Sequence, residues 1–461
     1  MKIYNTASKK IEELPKADTL SVYSCGPTVY DKSTIGNWRS FLTYDFLVKA
    51  LRLNGQKVLW GMNYTDVGHL TSDADTGEDK IAKRAKKERK TAGEVALENI
   101  ALFEKDMQKL NIAIPDRVFK ATEFVPQMKK MIEQLNKKGF TYQTDDGIYF
   151  DTAKFTHYGE LSSLDLQGIK EGARVEKNEQ KRNASDFALW KFSPADEKRD
   201  MEWSNPLQIP GKGFPGWHIE CSVMALKLTG GATVNLHLGG IDLMSTHHQN
   251  ELAQSEGATG KKFVDIWMHI EHLLIDGKKM GKSEGNAYTL EDLEQRGFSP
   301  LDFRYLVCQT HYSQKQNFSW EALEGAKKAR NKIKVLMSGG WTSEQNTEPN
   351  EAVVGVIKKA VAQNLDMPKA LALLQEFLNH EKSRDIKYAT VEYLNKDLFG
   401  FLGDDDLVNE EIPAQILSYV NEREEARQKK DFVKADELRQ KVANMGYIIE
   451  DTKKGPQVTA K

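Results

Sequence analysis

The segment from Thr19 to Asn63 restricts the fold more than any other part of the chain. "TLSVYSC" (Thr19–Cys25) alternates and is rich in β-prone residues, which predicts a strand. From Trp38 to Leu53 apolar residues recur at Leu42, Phe46, Ala50 and Leu53, a helical spacing that Asn54-Gly55 stops. "KVLWGMN" (Lys57–Asn63) predicts a second, buried strand. Strand, helix and strand in such a short span make a βαβ unit, and a βαβ unit requires a parallel sheet.

The rhythm then breaks and returns. Asp79 to Leu110 reads as one long charged helical stretch, and Glu123 to Lys138 as a second helix closed by Gly139. "FTYQTDDGIYFD" predicts a hairpin with Asp146-Gly147 in its turn. Residues 112–200 therefore look inserted. Beyond them, "WHIECSVMAL" and "HHQNELAQSEG" predict helices, and "ATVNLHLGG" and "FVDIWMHI" predict strands, so the sheet resumes. After a polar linker at Met337–Glu351, residues 352–395 carry helical periodicity. Ala414 to Met445 is a charged helical stretch, followed by "GYIIEDT" as a short strand.

Composition narrows the class. With 461 residues, of which 39% are hydrophobic and 29% charged, the chain has room for several domains and a sizeable core. No run of about 18 apolar residues exists, so no membrane span is expected. The first residues lack the pattern of a signal peptide. Three cysteines (Cys25, Cys221, Cys308) do not make a disulfide framework and fit a reducing cytosol. The net charge of −2 neither supports nor excludes a nucleic-acid partner, because local charge decides that.

Several residues carry chemistry. Cys25 ends a predicted strand, Cys221 lies far along the chain, and His247 and Glu251 stand four apart on one helix face. Two thiols, an imidazole and a carboxylate suit a tetrahedral zinc ion; buried filler cysteines are the other reading. Gly36-Asn37 at a strand-to-helix junction offers backbone N–H groups to an anion, or simply caps a helix. "DGKKMGKSEGN" places Lys278, Lys279 and Lys282 among glycines, which suits a departing pyrophosphate or a solvated loop. Gly239, Gly240 and Asp242 at a strand end would let a ribose approach and give its hydroxyls an acceptor, or form a packed turn.

"CGPTVYD…IGN", "NYTDVGHL", "GWHIECS", "HLGGIDL…HHQNELAQSEG" and "KMGKS" occur in the order found in cysteinyl-tRNA synthetases, and "REEARQKKDFVKADELRQKVANMGYIIEDTKKG" is similar to that family's C-terminal segment. The resemblance spans nearly the whole chain. It implies an α/β fold: a class I Rossmann-like doubly wound parallel sheet with an inserted domain, then an α-helical bundle and a small C-terminal α/β tail. The implied division is 1–111 and 201–275 for the two catalytic halves, 112–200 for the insertion and 276–336 for the lysine loop and stem-contact region. Residues 337–405 would form the bundle and 406–461 the anticodon-recognition tail.

The implied activity is cysteine–tRNA ligation through a cysteinyl-adenylate. Zinc (Zn2+) on Cys25, Cys221, His247 and Glu251 would select the substrate thiolate. Thr65, Trp217 and His218 match positions around the amino-acid pocket. Thr34, Gly36, Asn37, Gly239, Gly240, Asp242, Lys279, Met280 and Lys282 match positions that bind ATP, which enters with Mg2+. Of these, Thr34, Asn37, Lys279 and Lys282 would be catalytic. Arg427, Asp436 and Asp451 match tRNA-binding positions. The implied partners are tRNA(Cys), L-cysteine and ATP, with no membrane, and the chain is expected to be a cytoplasmic monomer.

Two positions depart from the family pattern. Thr34 stands where histidine is usual, and Gly281 replaces a serine. Threonine can still donate one hydrogen bond to a phosphate, so a working variant is expected, with slower adenylation. A cysteine:amino-sugar ligase, which lacks the tail, and a non-catalytic cysteine- or tRNA-binding paralogue are the rival readings.

Overall fold

Five parallel strands form the central sheet: β1 (Leu20–Ser24), β2 (Val58–Tyr64), β3 (Arg117–Lys120), β4 (Val234–Gly240) and β5 (Val264–Ile270). Their order is β5-β4-β1-β2-β3. Chain direction across the sheet therefore reverses between β1 and β4, and ligands of doubly wound sheets bind beyond the strand ends at such a point. The computed structural model describes residues 1–68, 80–161, 179–194, 199–281, 285–337, 347–403, 406, 413–452 and 455–460.

Strand alternation sends Leu20 and Val22 into one apolar cluster and Tyr23 and Cys25 into another. The first cluster also holds α1 (Ile35–Leu53), α3 (Ala92–Lys109) and the helices that follow the sheet. The second holds α4 (Val125–Lys137) and α5 (Trp217–Leu228), with Ala253 and Ala258 of α6 (Gln249–Thr259). Cys25 thus faces α5 and α6 because it continues the β1 alternation.

The charged stretch at 79–110 is two helices, α2 (Lys80–Glu88) and α3, rather than one. Arg89 between them has φ +56, a left-handed conformation that ends a helix. A second, antiparallel sheet contains Thr141–Thr144, Gly147–Phe150, Phe187–Phe192, Lys212–Pro215 and Trp203–Ser204. It therefore runs past residue 200, while β3, after residue 112, belongs to the central sheet. In its first hairpin Thr144 pairs with Gly147, so Asp145-Asp146 makes the turn, one residue earlier than expected. Gly147 starts a strand instead, where a Cβ would lie 2.4 Å from the Trp190 carbonyl oxygen.

Beyond β5 come α7 (Leu290–Gln295), α8 (Pro300–Cys308) and α9 (Trp320–Met337). The periodic region at 352–395 is three helices, α10 (Glu351–Ala362), α11 (Met367–His380) and α12 (Arg384–Leu394). The tail stretch is also broken, into α13 (Ala414–Gln428) and α14 (Phe432–Asn444), with Lys430 at φ +59 between them. Its strand Tyr447–Thr452 is not alone: Gly455–Ala460 pairs with it antiparallel.

Candidate active site and metal cluster

Four elements meet below the end of β1. Cys25 leaves the strand, its N–H bonded to the Leu238 carbonyl of β4 at 3.1 Å. Cys221 lies one helical turn after Trp217 on α5, so both face the same way. A single π turn at Met244–His248 precedes α6 and carries His247, while Glu251 follows one turn later. The Sγ atoms of Cys25 and Cys221 are 3.9 Å apart, and Cys25 Sγ is 3.8 Å from Glu251 Oε1. His247 Nε2 is 3.0 Å from Glu251 Oε1. Donor atoms of all four residues fall within 4.8 Å of one another, and all four are buried.

These groups hold unusual protonation states. Burial opposes charge on His247, but the Glu251 carboxylate and Cys221 outweigh it and raise the imidazole to about 10. Burial would likewise raise Glu251; His237 and His247 hold it down at about 2. The Cys25 thiol is pushed up, chiefly by burial, and the Cys221 thiol is lowered despite burial because Cys25 donates to it. Two sulfurs, an imidazole nitrogen and a carboxylate oxygen, dry and convergent, form a donor set that fits a zinc-like cation.

A second possible set shares Cys25 and Glu251 and adds His237 and His248. His237 Nε2 contacts Glu251 Oε2 at 2.9 Å, and His248 Nε2 lies 3.3 Å from Cys25 Sγ. The two sets differ in access. Cys25, Cys221 and His247 line a cavity of about 450 Å³, whereas His237 and His248 do not. His248 is instead backed by His269 at 2.8 Å, and His269 by Thr6 at 2.6 Å.

The same cavity gathers most of the other expected residues. Thr65, Trp217, Gly240, Asp242, Lys279 and Met280 line it, as do Thr34, Gly36 and Asn37 at the start of α1. His218 does not; it is buried, with Nδ1 3.0 Å from His247 Nδ1. Gly239 also stays off the lining, since a Cβ there would sit 2.3 Å from the His248 ring. Gly36 lies under Met280, whose Sδ would be 3.3 Å from an added Cβ. Lys282 lies outside the described residues.

Thr34 caps α1. Its Oγ1 accepts from the Asn37 N–H at 3.4 Å and donates to Asn37 Oδ1 at 2.8 Å, and its own N–H donates to the same oxygen at 2.9 Å. The hydroxyl hydrogen expected for a phosphate is thus directed at Asn37. Sequence reading missed Asn63, which receives Gly26 N–H at 2.9 Å and Tyr23 OH at 3.2 Å and stands 3.7 Å from Cys221 Sγ. It also missed His237, His248 and His269. Only their position on β4, the π turn and β5 reveals them, because nothing in their spacing marks them as neighbours.

In the tail, Arg427 and Asp451 meet at 2.5 Å. Arg423, unremarked in the sequence, binds Asp451 with both terminal guanidinium nitrogens at 2.8 Å. Asp436 lies on α14, away from that pair in sequence.

The family description "tRNA synthetases class I (C) catalytic domain" matches residues 11–328. A "Cysteine--tRNA ligase 1" from Burkholderia lata is 38% identical over 459 residues, covering 99% of this chain and 96% of that protein. The chain belongs to the cysteinyl-tRNA ligase family. "Cysteinyl-tRNA ligase anticodon binding domain" matches residues 409–458. A "Cysteine--tRNA ligase" of Treponema denticola is also 38% identical, covering 98% of each chain. In fold, the chain is similar to a Mycobacterium tuberculosis methionyl-tRNA synthetase structure with methionyl-adenylate, at TM-score 0.56 and 14% identity over 83% of this chain and 92% of that one. The class I fold expected from the sequence is therefore the observed one.

Proposed function

We propose that the protein joins L-cysteine to tRNA(Cys) in two steps. The cysteine carboxylate attacks the α-phosphorus of ATP and pyrophosphate leaves; the terminal ribose hydroxyl of the tRNA then attacks the carbonyl carbon and AMP leaves. One observation carries this reading: the thiol–imidazole–carboxylate cluster and the start of α1 open into a single cavity.

Cys25, Cys221, His247 and Glu251 would hold zinc, which when bound supplies a soft acceptor for a thiolate. Serine offers only a hydroxyl of similar size. Rejecting it about 10⁴-fold takes roughly 5.5 kcal/mol, more than an apolar pocket gives for one small group. Trp217 walls the amino-acid end, with its ring centroid 4.4 Å from that of His247, and Thr65 borders it. His218 acts from behind, orienting His247. Asp242, with the backbone of Gly240, receives the ribose, while Gly239, off the lining, leaves room for the His248 ring behind it. Asn37, fixed by Thr34, presents its amide beside the backbone of Gly36, and Lys279 with Lys282 neutralises the departing pyrophosphate, which carries Mg2+. Arg427, Asp436 and Asp451 contact the tRNA through the tail. The tail also weighs against an amino-sugar acceptor, which has no use for an anticodon domain. We place the parallel sheet in the catalytic halves, the antiparallel sheet from Thr141 to Pro215 in the insertion and residues 337–405 in a tRNA-binding bundle, acting as a monomer in the cytoplasm. No described helix is long and apolar enough to cross a membrane.

The test is charging of unfractionated bacterial tRNA by the purified chain, with zinc content measured alongside. Cysteine is attached and serine is not. C221S loses zinc and cysteine charging together; full charging by a zinc-free C221S protein would sink the metal-selector account.

A further inference from the structure

Lys32 stands two residues before Thr34, on the loop between β1 and α1, and lines the large cavity. It also lines a second cavity of about 290 Å³ that reaches α3 and α7, so it forms part of the wall between the two. Lys32 and Lys279 are the two lysines among the described residues that line the larger one.

The Lys32 ammonium has one partner among the described residues, the Glu291 carboxylate of α7. Their side chains are 45% and 54% exposed, and a pair so open to water contributes little stability. Nor is it needed to join the two segments. Ile35 N–H already bonds the Tyr288 carbonyl at 2.8 Å, and Thr34 and Thr289 form a backbone bridge. Thr34, neutral and committed to Asn37, brings no charge to this end of the cavity. A polyphosphate entering it would meet Lys32 as the one cation on the loop that leads into α1.

We propose that Lys32 is a phosphate ligand: it leaves Glu291 when ATP enters and donates to the polyphosphate oxygens, as a further catalytic lysine beside Lys279 and Lys282. Its flexible stem and three donors suit the exchange of one anion for another of higher charge. The inference rests on reading the large cavity as the ATP site. It assigns Glu291 the role of parking the ammonium between turnovers.

Calorimetric binding of magnesium ATP and of adenosine to the full chain tests it, because adenosine has no phosphates. K32Q should weaken ATP about tenfold, the worth of one charged hydrogen bond, and leave adenosine unchanged. E291Q should keep the ATP affinity. The reversed pair K32E/E291K restores the bridge but not the charge, so it should bind ATP at least as weakly as K32Q. A mere tether gives the opposite pattern: K32Q and E291Q weaken ATP equally and the reversed pair recovers it, which overturns the proposal. Equal weakening of ATP and adenosine by K32Q overturns it too, since that marks a disturbed pocket. Tight ATP binding unchanged in K32Q defeats Lys32 alone; a wild-type chain that binds neither ligand defeats the reading of the cavity as well.

Discussion

Thr34 has a structural task that a sequence motif does not disclose. Its side chain and Asn37 form a reciprocal cap on a 19-residue helix whose first turn faces the cavity. T34A should therefore cost about 1 kcal/mol of stability, read as a lower urea midpoint, while T34S should keep nearly all of it. A T34A protein as stable as wild type would show that the cap is idle. This is also where the sequence ran out at residue scale. The residue types at Cys25, Cys221, His247 and Glu251 were legible because few side chains bind soft cations. The direction of one hydroxyl was not, since it depends on where Asn37 sits. Nor was the histidine backing of the cluster, because His237, His248 and His269 become neighbours only once β4 and β5 pair.

Among elements, the joint between α1, α8 and the end of the helical region turns on Arg304. Its guanidinium is fully buried, 2.5 Å from Asp45 of α1, 2.8 Å from the Leu110 carbonyl and 2.5 Å from the Phe399 carbonyl. Gly400 is required beside it: φ is +60, and a Cβ would lie 2.7 Å from Arg304 Cζ. Burial pushes the Asp45 carboxyl up, but Lys49 and Arg304 outweigh it and hold it below its usual 3.8. A lowered folded pKa means that the carboxylate stabilises the fold fully above pH 3.8, and that this contribution is lost as pH falls below 3.8 through the folded value. D45N leaves a buried cation without its counter-charge and should cost roughly 3–5 kcal/mol at neutral pH. Its stability should also fall less steeply than wild type's on acidification; parallel acid profiles of the two proteins would remove Asp45 from that account. Sequence periodicity found α1 and the helical region separately. It had no means of finding this joint, because Asp45 and Arg304 are 259 residues apart.

At the scale of the whole molecule, one apolar cluster runs from Ile3 to Leu402, through the sheet and into α10, α11 and α12. The catalytic half and the helical bundle, distinguishable by sequence pattern, share that core and should unfold together. Among the described residues, the tail does not join it. Ile416, Val420, Val442 and Ile449 make a cluster of their own, and Arg423 ties α13 to the terminal hairpin through Asp451. Such an arrangement lets the tail act as an independently packed reader of a distant part of the RNA. A chain ended after residue 408 should therefore keep its main thermal transition and its cysteine-dependent exchange of pyrophosphate into ATP. Its kcat/KM for tRNA should fall by roughly 10²-fold, the worth of two or three charged hydrogen bonds. Loss of exchange along with charging would mean that the tail supports the catalytic cavity. Retention of full charging would mean that the acceptor end alone carries recognition, and charging itself would then exclude the amino-sugar rival without any help from the tail.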